Sequence, residues 1–420
     1  MKLTIEKLIY GGDGLGRTPD GKAAFVPMVL PGEEVNAAVT EEKPGFVRAT
    51  AEEILKRSEL RIEPGCPYYG ACGGCHYQHA SYEAQLGFKR DILRETLRRT
   101  AKFDWSGEIT THAGEPWHYR NRTRLRVRTQ PEFAVGYHRF HSNDLLPVRV
   151  CPISSPLINR AIGGLWALAE RNGVPGGAEE IELFANRDDS RLLLEIYGPI
   201  DASEREGFAG AVREAIPEGA GVAFFSGSST AAAKCDAVIG EDSLSYRAGD
   251  EEFKVSAGSF FQTNRFLAGR LAGSVVAGAQ GDTALDLYAG VGLFANHLAR
   301  SFRRVLAVES APSSAADLEH NAAKNVTGTR STVEAFLPRA ANLNPDLVVL
   351  DPPRAGLGEK ITGLIAGLRP ARIVYVSCDP ATLARDLRQL LGTGYRVEEV
   401  HLMDMFPQTF HIETVTKLAR

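Results

Sequence analysis

Runs of apolar, β-branched residues recur through the last third of the chain, each followed by a turn and a helical pattern. Ile373-Val374-Tyr375-Val376 is apolar at every position, as expected of a strand buried on both faces of a parallel sheet. Thr283 to Tyr288, Arg304 to Glu309 and Leu347 to Asp351 read the same way, and Leu293 to Arg300 reads as a helix. From about residue 246 this alternation predicts a doubly wound α/β sheet. The first 58 residues have another rhythm. Short alternating stretches such as Ala23-Ala24-Phe25-Val26 and Glu34 to Val39 are broken by Gly11-Gly12-Asp13-Gly14, Asp20-Gly21 and Pro31-Gly32, the punctuation of a small β-barrel. Such a barrel can bind nucleic acid or serve as a structural cap. Three domains are expected, over 1–58, 59–245 and 246–420.

Between barrel and sheet, two basic patterns stand out. Tyr82 to Thr100 places Leu86, Leu93 and Leu97 on one side and Lys89, Arg90, Arg94, Arg98 and Arg99 largely elsewhere, which predicts an amphipathic basic helix. Arg120, Arg122, Arg124, Arg126 and Arg128 alternate, so on a strand they share one face. Five like charges in a row repel one another, which points to a surface that meets phosphates rather than a solvated face.

Composition adds a compartment and a partner class. With 44% hydrophobic and 24% charged residues over 420 positions, the chain is an ordinary globular protein. Its charged amino terminus does not read as a signal peptide, and no apolar run is long enough to span a bilayer, so a cytoplasmic protein is expected. Net charge is only −4, but residues 86–128 hold eleven Lys or Arg against five Asp or Glu, a local basic surplus. In a reducing compartment, clustered cysteines favour metal over disulfides. Cys66, Cys72 and Cys75, spaced C-x5-C-x2-C, suit iron-sulfur ligation better than a zinc knuckle. Cys151, in Val150-Cys151-Pro152, is expected to complete the set, with Cys235 as the rival fourth ligand.

The chemistry gathers at strand ends, where open α/β sheets hold their ligands. Asp286 to Gly292 is a glycine turn after a strand, including Gly290, and acidic Glu309 ends the next strand, placed to accept from ribose hydroxyls. This fits NAD or S-adenosylmethionine, although the third glycine of the dinucleotide pattern is absent. Asp351-Pro352-Pro353-Arg354 ends another strand, and Cys378 another, with a helix start at Asp379-Pro380 that would favour the thiolate. A DPP turn at this place resembles those of S-adenosylmethionine enzymes that methylate bases. Carbon 5 of uracil is a poor nucleophile, so a thiolate must first add at C6, and a base must later remove the C5 proton. Glu413 is the candidate base.

With these motifs in place, the chain resembles the RNA (uracil-5-)-methyltransferase family, in particular its longer bacterial 23S ribosomal RNA type, over nearly its whole length. Gly21-Lys22, Phe25-Val26-Pro27 and Leu30-Pro31-Gly32-Glu33 resemble a TRAM domain, and Cys66 to Gln78 with Cys151-Pro152-Ile153 resemble the family's iron-sulfur ligands. Ser259 to Asn264 resembles an FFQ-x-N segment. The resemblance implies a Rossmann-like methyltransferase domain behind an OB-like TRAM barrel and a central α+β iron-sulfur and RNA-binding domain. It implies S-adenosylmethionine and a 4Fe-4S cluster as cofactors. Gln262, Tyr288, Glu309 and Asp351 fall on cofactor positions, with Asp351 also beside the uracil, and Glu334 is expected toward the adenine. Cys378 falls on the nucleophile and Glu413 on the base, while Leu293 stands where relatives often have asparagine.

The implied reaction takes a uridine flipped out of structured RNA, most simply 23S rRNA, with tRNA as the alternative, and a monomer is expected. Arg120, Arg122, Arg124 and Arg126 would hold the flanking RNA. An NAD-dependent oxidoreductase would leave Cys378 and Asp351 without a task. A noncatalytic RNA-binding iron-sulfur protein would leave the second half of the chain unexplained.

Overall fold

The structure, a computed structural model, describes residues 1–227 and 233–420. Strands Lys2–Leu8, Gly14–Arg17, Ala23–Val26, Glu34–Lys43 and Phe46–Lys56 close into a barrel, as the opening pattern predicts. Leu3, Ile5, Ala24, Val26, Val35 and Val47 alternate inward to fill it, and closure removes the free edges that a small sheet would expose.

The last third forms the expected parallel sheet. Its order is Val326–Arg330, Phe302–Glu309, Gly281–Leu287, Leu347–Leu350, Arg372–Ser377, Glu413–Ala419, Arg396–Met403 and Ile109–His112. Leu285, Leu287, Val348, Leu350, Ile373 and Tyr375 pack on one face. Ala284, Leu347, Val349, Val374 and Val376 pack on the other. The central strands Gly281–Leu287, Leu347–Leu350 and Arg372–Ser377 therefore bury both of their faces, and continuous apolar runs are the consequence. Glu413–Ala419 enters antiparallel beside Arg372–Ser377, and this reversal brings a late segment of the chain back to the strand ends.

Residues of the middle region belong to this layer too. Ile109–His112 pairs in parallel with Arg396–Met403, and Ile92, Leu93 and Leu97 share an apolar cluster with Leu383, Leu387 and Leu390. The expected boundary at 246 is thus crossed in both sequence and space. Helix Tyr82–Thr96 forms, but Lys89 does not face solvent as a basic surface would require. It is 0% exposed, and its Nζ donates to Asp404 at 2.6 Å and to the Phe406 carbonyl at 2.9 Å.

The central region builds a seven-stranded sheet in which Arg122–Arg128 lies beside Glu180–Ala185. This neighbour corrects the argument from charge repulsion. Glu182 pairs across from Arg124 and Glu180 across from Arg126, so opposite charges meet on the shared face. Arg122 is only 8% exposed, donates to Glu182 and to Glu195, and reaches the Ser259 carbonyl. Arg124 Nε donates to Glu182 at 2.7 Å and Arg126 is paired with Glu180. Arg122, Arg124 and Arg126 are thus paired with carboxylates within the sheet, and Arg122 is a buried strut rather than a phosphate contact.

Candidate active site

A cavity at the carboxyl ends of the parallel strands is lined by Phe260, Phe261, Gln262, Tyr288, Gly290, Leu293 and Asp351, among others. The turn after strand Gly281–Leu287 is tight: Tyr288, Gly290 and Gly292 all take positive φ, and a Cβ on Gly292 would stand 2.9 Å from Leu318. At Gly290 a Cβ would meet nothing within 4 Å, so the backbone there is open to a ligand. Glu309 accepts from Gly290 N at 2.9 Å through one oxygen and from Ser310 N and Ala311 N, both at 2.7 Å, through the other. The Ser310 hydroxyl also lies 3.5 Å from that second oxygen, so Glu309 ties the glycine turn to the end of its own strand. Glu334 is exposed on the short helix Val333–Phe336, close enough to Tyr288 to contribute to raising its phenol to about 12, after burial.

Asp351 links this cavity to a second group of residues. Its burial pushes the carboxyl up to about 7. Glu413, fully buried and raised by burial and then by Asp351, opens strand Glu413–Ala419. Cys378 directly follows strand Arg372–Ser377. The register pairs Ser377 with Thr414, so Cys378 and Glu413 stand opposite each other one step beyond that pair. Arg354 acts electrostatically on both, lowering their pKa values against the dominant effect of burial.

The expected help from the helix start does not reach the thiol. Asp379 caps helix Pro380–Gly392 and takes the amides of Ala381 and Thr382, each at 2.9 Å. Burial, with Glu413 and Asp351 adding repulsion, pushes Cys378 up to about 12.

Residues 81–420 match the tRNA (Uracil-5-)-methyltransferase family, and residues 1–51 match the TRAM domain. The chain belongs to the tRNA (Uracil-5-)-methyltransferase family. Relatives in Streptomyces avermitilis and Aquifex aeolicus, each described as an uncharacterized RNA methyltransferase, are both 33% identical. The first alignment covers 99% of this chain and 97% of the relative, the second 100% and 98%. The crystal structure of the Pyrococcus abyssi tRNA (uracil-54, C5)-methyltransferase with S-adenosyl-L-homocysteine superposes with a TM-score of 0.78 at 25% identity, covering all of both chains. The protein is an S-adenosylmethionine-dependent RNA (uracil-5-)-methyltransferase. Among the described residues, no helix is long and apolar enough to cross a membrane.

The cysteine-bearing segment of this methyltransferase folds against the active-site half. Cys66, Cys72, Cys75 and Cys151 all line one cavity of about 180 Å³, together with Arg120 and Arg124. Cys235 lies on the edge strand Lys234–Gly240 and does not line it. Cys151 is held by its amide donating to Asn159 Oδ1 at 2.7 Å. Among the described residues no group of three or more His, Cys, Asp or Glu side chains is arranged to hold a metal ion.

Several residues that shape the site carry no motif. Asp386, fully buried, accepts from Leu357 N at 2.7 Å and from Tyr375 Oη at 2.7 Å, fixing the chain after the Asp351-Pro352-Pro353-Arg354 turn. Asp317 accepts from Ser256 and Ser259 and so holds the segment carrying Gln262. Asn264 donates to the Met405 carbonyl at 3.1 Å. Each binds backbone distant in sequence, so no local spacing marks it.

Proposed function

We propose that this methyltransferase acts by covalent catalysis, with Cys378 adding to C6 of a uracil and Glu413 removing the proton from C5. The observation that carries the reading is the opposition of Cys378 and Glu413 across one strand pair, with Asp351 bordering both them and the cofactor cavity. Bound in that cavity, S-adenosylmethionine supplies an electrophilic methyl group. Gln262, Tyr288, Gly290, Glu309, Glu334 and Asp351 would hold it. The Cys378 thiolate bonds to C6, the electron pair of the C5–C6 double bond moves into an enolate, and C5 takes the methyl as its bond to sulfur breaks and S-adenosylhomocysteine leaves. Glu413 then takes the C5 proton, the double bond returns and the thiolate leaves. A stacked base could not offer both carbons at once, so the uridine must be flipped out. Wild-type protein should release tritium from [5-³H]uridine-labelled RNA, whereas Cys378→Ala should release none.

The four thiols that converge on one cavity support a 4Fe-4S cluster held by Cys66, Cys72, Cys75 and Cys151. Burial pushes Cys72 up to about 11 and raises Cys75 further, so thiolates are costly there unless a cationic centre offsets the cost. The methyl transfer needs no electron, so the cluster's task is structural.

For the RNA we propose a structured 23S rRNA segment, the reading suggested by the barrel and the cysteine set together. A tRNA substrate has its own support, because the Pyrococcus abyssi enzyme, which matches over the whole of both chains, is by its title a tRNA enzyme. The barrel therefore does not by itself select rRNA. Arg120, Arg124 and Arg126 would flank the RNA. Mapping 5-methyluridine in both RNA classes from cells with and without the gene separates the two: loss from 23S rRNA alone supports the first, loss from tRNA alone the second.

A further inference from the structure

The N-terminal barrel reaches the Cys378–Asp379 segment through the side chain of Tyr10. Between strands Lys2–Leu8 and Gly14–Arg17 the chain turns tightly at Tyr10-Gly11-Gly12, with positive φ at both glycines and Ile9 N bonded to Asp13 O at 2.9 Å. A Cβ on Gly12 would stand 3.2 Å from His76, so the turn is pressed against the segment after Cys75. Tyr10 projects from this turn. Its hydroxyl donates to Asp379 Oδ2 at 3.1 Å and lies 3.5 Å from the Cys378 carbonyl. Its ring meets Phe410 edge-on at 5.5 Å, and Phe410 meets His76 in the same manner at 4.6 Å. Phe410 lies three residues before Glu413.

We propose that Tyr10 is a positioning residue for the nucleophile: the barrel completes the active site by fixing the Cys378–Asp379 segment and bracing the approach to Glu413. The inference rests on Cys378 being the nucleophile. The two oxygens of Asp379 have separate duties. Oδ1 caps the helix through Ala381 and Thr382, and Oδ2 takes the Tyr10 hydroxyl, so the residue after Cys378 is held from both sides. Burial and the Asp379 charge raise the phenol's pKa, so the hydroxyl keeps its proton and remains a donor at neutral pH. Covalent attack demands reacting atoms within about 3–3.5 Å and in line, and a displacement of about 1 Å can cost up to about a hundredfold in rate. The strand–helix junction braces this segment from within, through Ser377 Oγ accepting from the Asp379 amide at 3.2 Å and Thr382 Oγ1 donating to the Asp379 carbonyl at 3.2 Å, and Tyr10 adds a restraint from the barrel side.

The test compares wild type, Tyr10→Phe, Asp379→Asn and the double variant as full-length proteins. Tyr10→Phe keeps the ring against Phe410 and removes only the hydrogen bond. We expect kcat to fall roughly tenfold, with KM for RNA and for S-adenosylmethionine changed less than about twofold. The rate of adduct formation with 5-fluorouridine-substituted RNA, whose C5 fluorine cannot be removed as a proton, should fall by the same factor. Because the Tyr10 hydroxyl acts through Asp379, which also caps the helix, the double variant should be no slower than Asp379→Asn alone. Equal melting temperatures and equal S-adenosylhomocysteine binding establish that the variants are folded. Wild-type kcat in Tyr10→Phe, a rise in KM for RNA at unchanged kcat, or additive losses in the double variant would each overturn the inference. Failure of wild type itself to form the fluorouridine adduct would instead strike down Cys378 as nucleophile, whatever the variants do.

Discussion

Cys378 and Glu413 stand opposite one another, one residue beyond the paired Ser377 and Thr414, where Thr414 Oγ1 also donates to the Ser377 carbonyl at 3.2 Å. Opposed residues of an antiparallel pair project from the same face. The same pairing thus places a thiol and a carboxyl on one side of the strand ends, able to flank a flat base. Splitting addition and proton removal between them gives each variant its own expected signature.

Cys378→Ala should abolish methylation while S-adenosylmethionine affinity stays within about threefold, since the cofactor cavity is lined by other residues. Glu413→Gln should accumulate a covalent protein–RNA adduct, visible as a slow band on a denaturing gel. Turnover in the first variant, or no shifted band with the second, refutes the assignment.

The pH profile follows from the raised thiol. With Cys378 pushed up to about 12, the thiol form dominates at neutral pH, and the thiolate fraction grows about tenfold per pH unit. Ionisation of the Asp351–Glu413 pair acts in the same direction, because the base must be charged to accept a proton. Single-turnover methylation should therefore rise steadily from pH 6.5 to 8.5, and a flat profile over that range contradicts it.

Asp351 should cost stability at alkaline pH. Its carboxyl moves from 3.8 to about 7 on folding, so between those values the unfolded chain binds fewer protons than the folded one. Stability from this group is present below pH 4 and is lost as pH rises through 7. Asp351→Asn should melt at a higher temperature than wild type at pH 8, with the gain shrinking toward pH 5. Thermal melts at the two pH values check this, and a gain independent of pH counts against it.

Cys75→Ser and Cys151→Ser should each lose most of about four irons per chain and melt earlier, while Cys235→Ser, on an edge strand outside the cavity, should retain iron. Iron analysis of anaerobically purified proteins decides it. Iron loss confined to Cys235→Ser would transfer the fourth position there.

Arg122→Ala should lower stability by about 3 kcal/mol, because it strands Glu182 and Glu195 in a buried site. Arg126→Ala, whose side chain is 46% exposed, should cost under about 1 kcal/mol. Denaturant titration ranks the two. If Arg122→Ala unfolds like wild type but flattens the salt dependence of RNA binding, Arg122 contacts phosphate after all.

Much of this was legible in the chain because it depends on local pattern. Continuous apolar runs ending in Asp351 and Cys378 reveal parallel strands and the edge where ligands gather, and the glycine turn at Gly290 and Gly292 shows in composition alone. The buried pairings of Arg122 and Lys89 escape local pattern for one shared reason. Alternation tells which residues share a face, and nothing about which carboxylates the neighbouring strand or a distant loop will present to them. Glu182 lies 60 residues from Arg122, and Asp404 lies 315 from Lys89.

The amino-acid sequence by itself determined the barrel, the doubly wound sheet and the kinds of reactive group at its strand ends, since periodicity and turn chemistry act over a few residues. Tertiary structure alone decided that Asp379 takes the helix-start amides beside Cys378, that Glu182 and Glu195 meet Arg122, and that Tyr10 meets the Cys378–Asp379 segment across 369 positions. Charge state and contact depend on distance in space and on exclusion of water, and neither exists until the chain has closed on itself.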